Sequence, residues 1–348
     1  MSKTMTPLTI LALVAAAAGP AIPAGAGAPA AETHKVRAFE LTYKAVVRDL
    51  PAAAGQVDIW LPYPASDEDQ TVEVAEVATP FPTETRKDPE LGNGIVHLAA
   101  QHPGRTEIAV AMTVRVTRGE RVRKAWSGAA ERRRGTLEPA VARWLEPDRL
   151  VPLDARIRDL AQQVTAGKRS DLDKARAIYD YVVATMSYNK EGTGWGQGDI
   201  YWACDKKRGN CTDFHALFTG LSRAVGLPAK FEIGFPVPPQ RGEGKISGYH
   251  CWSQFYLDGY GWVPVDASEA WKHPDKREYF FGALDEDRVK FSEGRDLVLA
   301  PRQKGEPLNY FIYPYVEVDG KPHAAMDLVF TYRDKPGQTT AAASSGGR

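Results

Sequence analysis

Hydrophobic and polar residues alternate along several stretches near the start of the chain. Residues 39–44, 57–61 and 108–116 each place apolar side chains at every second position. This period of two is typical of strands with one buried face. Turns that carry Pro or Gly separate the stretches. The pattern predicts a small antiparallel β-sandwich over residues 36–125.

Beyond residue 137 the apolar period lengthens to that of helices. Residues 153–164 follow a 3.6-residue period, and residues 175–186 carry one apolar stripe. Strand patterns return around residues 231–235, 250–256 and 260–266. We therefore expect an α+β second domain over residues 140–335, and the length of 348 residues suits two folded units.

The last strand patterns surround the turn Asp319-Gly320. Residues 310–318 and 326–332 are rich in apolar and aromatic side chains. We expect them to form a hairpin that completes the sheet of the second domain. The final residues, 336–348, contain mainly Ala, Ser and Gly and predict a disordered tail.

The first thirty residues have the pattern of a signal peptide. Lys3 precedes an apolar run over residues 8–18, and small-residue cleavage sites follow. That run is too short to span a bilayer core of about 30 Å. The pattern predicts a soluble periplasmic or secreted protein without stable membrane insertion. An uncleaved signal anchor is the alternative.

The overall charge excludes some classes of partner. Lys plus Arg and Asp plus Glu both number 44, so the formal net charge is zero. Nothing in this balance indicates a nucleic-acid partner or an anionic membrane surface. With 43% hydrophobic and 25% charged residues, the composition is that of a globular protein.

Cys211 lies where a thiol becomes reactive. Asn210 is a good helix N-cap, Asp213 occupies the capping-box position, and an apolar helix continues to about Val225. A thiol in the first turn of a helix faces unpaired N–H groups, which favour its thiolate. His250 opens a later strand and Asp266 ends the next one. The three residues suit a nucleophile, its base and an orienting carboxylate for acyl transfer through a thioester.

The turn between the strands of His250 and Asp266 decides whether these side chains meet. A two-residue turn at Asp258-Gly259 would place Asp266 opposite Cys251, on the wrong face. A three-residue loop through Tyr260 would place it opposite Trp252 and diagonally beside His250. We predict this second register.

Several ordered motifs resemble the transglutaminase-like superfamily, in particular its exported bacterial members. They are Cys-x-Asp-Phe at 211–214, Gly-Leu-Pro-Ala at 226–229, His-x-Trp-x-x-Phe at 250–255, Gly-Tyr-Gly-Trp at 259–262 and Val-Asp-x-Ser at 265–268. The resemblance spans roughly residues 140–335. It implies a papain-like core of helices packed on an antiparallel sheet, preceded here by the β-sandwich. It also implies that Cys211 is the nucleophile, His250 the base and Asp266 the orienting carboxylate.

Some positions depart from the family pattern or leave it open. His215 stands where a small residue is usual, and no Pro follows Asp266. The family's tryptophan that assists the oxyanion has no assignable match, with Trp195 and Trp202 as the candidates.

Three other interpretations of the same residues compete with the triad. His215 shares a helix face with Cys211, so it is either a base or ligand, or a packing and hydrogen-bonding residue. Cys204, Cys211, His215, His250 and Cys251 include zinc-ligand atom types without a closed ligand spacing. Cys204 and Cys251 could also pair as a disulfide and leave Cys211 free. We expect neither a metal nor a cofactor.

These features together predict an exported, thiol-dependent acyl-transfer enzyme. Its substrates would be peptide or protein amides, and the enzyme would be a cysteine peptidase or amidase, or else a transamidase. Hydrolysis is favoured because no groove for a second substrate is evident in the sequence. The alternative is a catalytically silent binding module of the cell envelope. Nothing in the sequence predicts the oligomeric state.

Overall fold

The computed structural model of the protein describes residues 35–123 and 135–335. The predicted signal peptide and disordered tail lie outside the described residues. The fold is α+β with mostly antiparallel strands, as the sequence predicted. The strands are β1 (Val36–Val47), β2 (Gln56–Tyr63), β3 (Gln70–Ala78), β4 (Thr83–Lys87), β5 (Gly94–Gln101), β6 (Ile108–Gly119), β7 (Arg121–Val122), β8 (Ser187–Tyr188), β9 (Arg208–Gly209), β10 (Ala229–Pro236), β11 (Glu243–Ile246), β12 (His250–Leu257), β13 (Gly261–Val265), β14 (Ala283–Leu284), β15 (Arg288–Glu293), β16 (Tyr315–Val318), β17 (Lys321–Pro322) and β18 (Met326–Asp334). The helices are α1 (Pro139–Ala142), α2 (Ala155–Val164), α3 (Asp171–Thr185), α4 (Ile200–Lys206), α5 (Cys211–Ala224) and α6 (Ala267–Lys272), with 3₁₀ turns at Arg143–Leu145 and Pro274–Lys276.

Two five-stranded sheets form the β-sandwich. Their strand orders are β11-β18-β1-β6-β3 and β17-β16-β2-β5-β4. The alternating pattern of β1 buries Phe39, Leu41 and Tyr43 on one face, and β2 buries Val57 and Ile59 in the same core. Burial of these alternating side chains is the main force that holds the two sheets together.

The C-terminal strands differ from the sequence expectation. Residues 310–318 and 326–332 were expected to form a hairpin that completes the sheet of the second domain. Instead β16 pairs with β2, and β18 pairs with β1, so the two strands lie in different sheets of the sandwich. The physical reason is that β1 has β6 on only one side, and β18 satisfies the backbone groups on its other side. The sandwich therefore takes strands from both the early and the late parts of the described residues.

A separate four-stranded sheet, in the order β13-β12-β10-β15, carries the candidate chemistry. Helix α5 packs against β12 and β10, and α2, α3 and α4 surround its other sides. Every residue from Cys211 to Arg223 is consequently buried. Phe218 of α5 meets Phe255 of β12 with ring centroids 6.3 Å apart. The helix with the thiol is thus fixed directly on the sheet with the histidine.

The hairpin β12–β13 has the predicted register. Leu257 pairs with Gly261 and Ser253 pairs with Val265, so the connecting loop has three residues. Continuing this pairing by one residue places Asp266 across from Trp252. The carboxylate therefore reaches the face of the sheet on which His250 lies.

The sheet that carries His250 shares one core with the sandwich. Phe330 of β18 lies 4.8 Å from Tyr43 of β1 and 4.5 Å from Phe235 of β10, measured between ring centroids. Phe235 in turn packs edge-on against Phe291 of β15 at 5.1 Å. Within the described residues, no helix is long and apolar enough to cross a membrane.

Neighbouring residues of β18 provide a test of this shared core. Phe330 is 6% exposed, whereas Val329 is 47% exposed. We expect Phe330→Ala to lower the free energy of unfolding by about 3–5 kcal/mol, because it removes a ring from the contact between sandwich and sheet. Val329→Ala should change it by less than about 0.5 kcal/mol. Urea unfolding followed by circular dichroism measures both, and equal effects would contradict the shared core.

Candidate active site

The start of α5 is held by a capping box. The side-chain oxygen of Asn210 accepts the N–H of Thr212 at 2.9 Å, and Asp213 Oδ2 accepts the N–H of Asn210 at 2.9 Å. Gly209 has a φ of +152°, and a Cβ there would lie 2.1 Å from Asp213 Oδ2. Only glycine therefore fits before the cap, and Cys211 becomes the first helical residue as expected.

Asp213 also fixes the glycine-rich loop that precedes α4. Its carboxylate accepts the N–H of Gly196 at 2.7 Å and that of Gly198 at 3.0 Å. Burial raises the pKa of this carboxyl to about 6, although its backbone hydrogen bonds oppose the shift. The sequence indicated only the capping role. The same carboxylate in fact holds the loop with Trp195 against the helix start.

Trp195 and Trp202 were the two candidates for assisting an oxyanion. The Trp195 indole N–H donates to the carbonyl of Gly192 at 3.0 Å, and that of Trp202 donates to the carbonyl of Arg208 at 3.2 Å. Each indole donates its only N–H to a backbone carbonyl of the segment before Cys211. Neither N–H is free for an oxyanion in this structure.

The structure brings Cys211, His250 and Asp266 together. His250 Nε2 donates to Asp266 Oδ2 at 2.7 Å. Its other ring nitrogen, Nδ1, is left for the Cys211 thiol, with which the His250 side chain is hydrogen-bonded. The three residues are 1%, 4% and 0% exposed, respectively. This is the order of groups that a thiol nucleophile, its base and an orienting carboxylate require.

The electrostatics favour a thiolate beside an imidazolium. Burial lowers the pKa of His250, but the Asp266 charge and hydrogen bond, together with Cys211, outweigh it and raise the pKa to about 10. Burial also raises the pKa of Cys211. The hydrogen bonds of Cys251 and His250, and the charge on His250, nevertheless hold that pKa well below its usual range. Near neutral pH the two groups form an ion pair.

Arg288 is a site residue that the sequence analysis missed. Its Nη1 donates to Asp266 Oδ2 at 3.0 Å, and its Nε donates to Asp285 Oδ1 at 3.0 Å. Asp266 Oδ1 additionally accepts the Ser268 hydroxyl at 3.1 Å and the N–H of Glu269 at 3.0 Å. Burial raises the pKa of Asp266, but the His250 and Arg288 charges hold it well below its usual range. The carboxylate is therefore ionised and fixed in position.

His215 is a buried structural residue that touches both parts of the site. Its Nδ1 donates to the carbonyl of Cys211 at 2.8 Å, and its Nε2 accepts the N–H of Ala267 at 3.2 Å. Burial is the main cause that lowers the pKa of His215, so the ring is neutral. Because backbone groups occupy both nitrogens, the hydrogen-bonding interpretation describes this residue better than the base or ligand interpretation.

The three cysteines are free thiols. The considered pairing of Cys204 with Cys251 is not formed, because the Cys251 sulfur faces other groups. It lies 3.9 Å from Thr212 Oγ1 and 3.7 Å from His215 Nδ1, and it is hydrogen-bonded to the Cys211 thiol. Among residues 35–123 and 135–335, no group of three or more His, Cys, Asp or Glu side chains is arranged to hold a metal ion.

Comparison with known proteins identifies the domain. Residues 158–267 match the family model of the transglutaminase-like superfamily, and this span contains Cys211, His250 and Asp266. The chain also shares its fold with a solved structure described as a "Putative Cysteine Protease" from Cytophaga hutchinsonii. The TM-score is 0.61 at 16% sequence identity, over 88% of this chain and 93% of that one. The chain thus carries a transglutaminase-like core, and the resemblance seen in its motifs is confirmed.

Curated relatives match over shorter segments. An uncharacterized protein of Haemophilus influenzae is 29% identical over 219 residues, which cover 54% of this chain and 59% of that protein. The uncharacterized protein YebA of Bacillus subtilis is 24% identical over 136 residues, which cover 35% of this chain and 18% of that protein. The chain therefore spans about three fifths of the first relative's length and under a fifth of the second's.

The ion pair predicts the pH profile of thiol alkylation. Because the pKa of Cys211 is depressed, its thiolate is lost only as the pH falls through that low value. Iodoacetamide should therefore label Cys211 rapidly even near about pH 6, below the usual thiol pKa of about 8.5. Cys204 is an internal control, because burial raises its pKa. In His250→Asn the pH dependence of Cys211 labelling should move to the pH range of an ordinary thiol or above it. Peptide mass spectrometry measures the labelling of Cys211 and of Cys204 at each pH. If the two thiols showed the same pH dependence in the wild type, the ion pair would be refuted.

Replacement of His215 should lower the stability of the fold and leave the activation of the Cys211 thiol largely unchanged. His215→Ala leaves the Cys211 carbonyl and the Ala267 N–H buried without their partner. We expect a loss of about 1–3 kcal/mol in the free energy of unfolding for each orphaned group. The low-pH alkylation of Cys211 should largely persist, unlike in His250→Asn. If His215→Ala abolished that reactivity without loss of stability, His215 would instead be the base.

Proposed function

With a transglutaminase-like core established, we propose that the protein is a thiol-dependent acyl-transfer enzyme that acts on peptide or protein amides. The observation that carries this proposal is the hydrogen-bonded line from the Cys211 thiol through His250 to Asp266. Binding alone requires no depressed thiol pKa and no imidazole fixed by a buried carboxylate. Catalysis requires both.

In the first step the Cys211 thiolate attacks the amide carbonyl carbon, and the carbonyl oxygen becomes an oxyanion. Asn210 accepts the N–H of Thr212 with its side chain and that of Asp213 with its carbonyl, so the N–H of Cys211 itself is the helix-start group suited to stabilise that charge. His250 Nδ1 then gives its proton to the leaving amine as the carbon–nitrogen bond breaks. Asp266 stays ionised throughout, because Arg288 balances its charge.

In the second step a nucleophile attacks the thioester on Cys211. His250 now removes the proton of that nucleophile, and the thiolate leaves. With water as the nucleophile the protein is a cysteine peptidase or amidase, and with an amine it is a transamidase. We propose hydrolysis as the main reaction. The predicted signal peptide further supports action in the periplasm or outside the cell.

Acylation by p-nitrophenyl acetate tests the proposal. The wild-type protein should release p-nitrophenolate and gain the mass of one acetyl group on the peptide that contains Cys211. Cys211→Ala and His250→Ala should each reduce the rate by at least about a thousandfold, and Asp266→Asn should reduce it less than the loss of the nucleophile does. Circular dichroism of each variant controls for folding. A folded wild-type protein that gains no acetyl group on Cys211 would instead be the silent binding module.

A further inference from the structure

Cys251 is a second thiol at the start of α5 that the proposed reaction does not use. Phe255 of β12 packs against Phe218 of α5, and residues an even number of positions apart along a strand face the same side, so Cys251 also points towards this helix. Its sulfur lies 3.9 Å from Thr212 Oγ1 and is hydrogen-bonded to the Cys211 thiol. Cys251 and Cys211 are 0% and 1% exposed, respectively. The strand therefore holds a buried thiol in direct contact with the nucleophile.

The two neighbouring thiols differ in charge. Burial raises the pKa of Cys251 well above its usual range, and the hydrogen bond and negative charge of Cys211 raise it further. Cys251 therefore stays a neutral thiol, whereas Cys211 is a thiolate beside the His250 imidazolium. A thiolate reacts readily with peroxides, and a thiol next to it can capture the oxidised sulfur as a disulfide. The arrangement is that of a reactive cysteine with its resolving cysteine.

Cys204, the third thiol of the chain, lies in α4 and is partly exposed. Burial is the main cause that raises its pKa, and the main charges that act on it are those of Arg156 and Asp205. A thiol with a raised pKa is largely protonated near neutral pH and reacts slowly with peroxides. Cys204 is therefore an internal control for selective oxidation of the other two thiols.

We propose that Cys211 and Cys251 form a reversible oxidation site, in which a peroxide oxidises Cys211 and Cys251 captures it as a disulfide. The Cys211 sulfur attacks one peroxide oxygen, the oxygen–oxygen bond breaks, and the departing hydroxide takes the His250 proton and becomes water. This step leaves a sulfenic acid on Cys211. The Cys251 sulfur then attacks the Cys211 sulfur, and the Cys251 proton leaves with the displaced hydroxide as a second water. Two cysteines are thereby oxidised by two electrons, and one peroxide is reduced to two waters.

The disulfide has two consequences for the nucleophile. While it exists, the Cys211 sulfur is bonded to Cys251 and cannot attack an amide, and a dithiol restores both thiols by exchange. A sulfenic acid with no thiol beside it is instead oxidised further to a sulfinic acid, which dithiols do not reverse. Cys251 thus protects Cys211 against permanent oxidation. This inference goes beyond the proposed function, because the disulfide forms and is detected without turnover of any substrate.

Peptide mapping after peroxide treatment tests the inference. The wild-type protein is treated with hydrogen peroxide, its remaining thiols are blocked with iodoacetamide in urea, and it is digested with trypsin without reductant. Cys211 and Cys251 lie in different tryptic peptides, residues 209–223 and 246–272. The two peptides should be recovered joined, with the loss of two hydrogen atoms, whereas Cys204 should be recovered alkylated. Dithiothreitol added before the alkylation should separate the two peptides again.

Cys251→Ser and Cys204→Ser are matched variants, since each replaces one sulfur by oxygen. Each protein is treated with peroxide and then with dithiothreitol, and the iodoacetamide labelling of Cys211 is compared with that of the same protein before treatment. Wild type and Cys204→Ser should recover at least about fivefold more of this labelling than Cys251→Ser. Cys251→Ser should instead accumulate sulfinic acid on Cys211. Circular dichroism of each variant controls for folding.

Several results would overturn the inference. They are a wild-type protein that stays reduced at Cys211 or gains sulfinic acid there without a joined peptide, a disulfide that includes Cys204, and equal recovery of Cys211 labelling in Cys251→Ser and wild type. If Cys251→Ser does not fold, the peptide map of the wild type still decides. The proposed function is tested separately, because the joined peptide is detected whether or not p-nitrophenyl acetate acetylates Cys211.

Discussion

The buried charge of Asp266 is the constraint on which the site depends. A buried carboxylate stays ionised in a protein only if ionic and hydrogen-bonding partners surround it. Arg288 from β15 and His250 from β12 both reach Oδ2, and the first turn of α6 satisfies Oδ1. The pairing fixes three elements in one arrangement. It also keeps a proton on His250, and that positive charge in turn favours a thiolate on Cys211.

The geometry of the site also depends on contacts of residues that take no part in the proposed reaction. His215 joins the carbonyl of Cys211 to the N–H of Ala267, so the first turn of the nucleophile's helix is tied to the residue after Asp266. Asp213 ties that turn to the glycine-rich loop on its other side. Behind the sheet, Phe330 and Phe235 join it to the sandwich. The sandwich therefore packs behind the sheet that carries His250 and helps to hold the site in place.

The sequence predicted what local patterns determine. The cap and the apolar face of α5 follow from the residues around Cys211, and the loop through Tyr260 determines the register that brings Asp266 to His250. The partner of β18 was predicted wrongly, because alternation shows that a strand has a buried face but not which strand lies beside it. Arg288 was missed for a related reason. Its contact with Asp266 arises from the pairing of β15 with β10, which no local motif encodes.

The place of β18 between β11 and β1 has a consequence for biosynthesis. The ribosome makes β1 among the first residues of the folded unit and β18 among the last. Until β18 has been made, one edge of β1 has no neighbour, and the contact of Phe330 with Phe235 of β10 is missing. A nascent chain without β18 therefore lacks part of the core behind the sheet that carries His250. The aromatic contacts through which Phe330 joins the sandwich to this sheet can form only after β18 has been made.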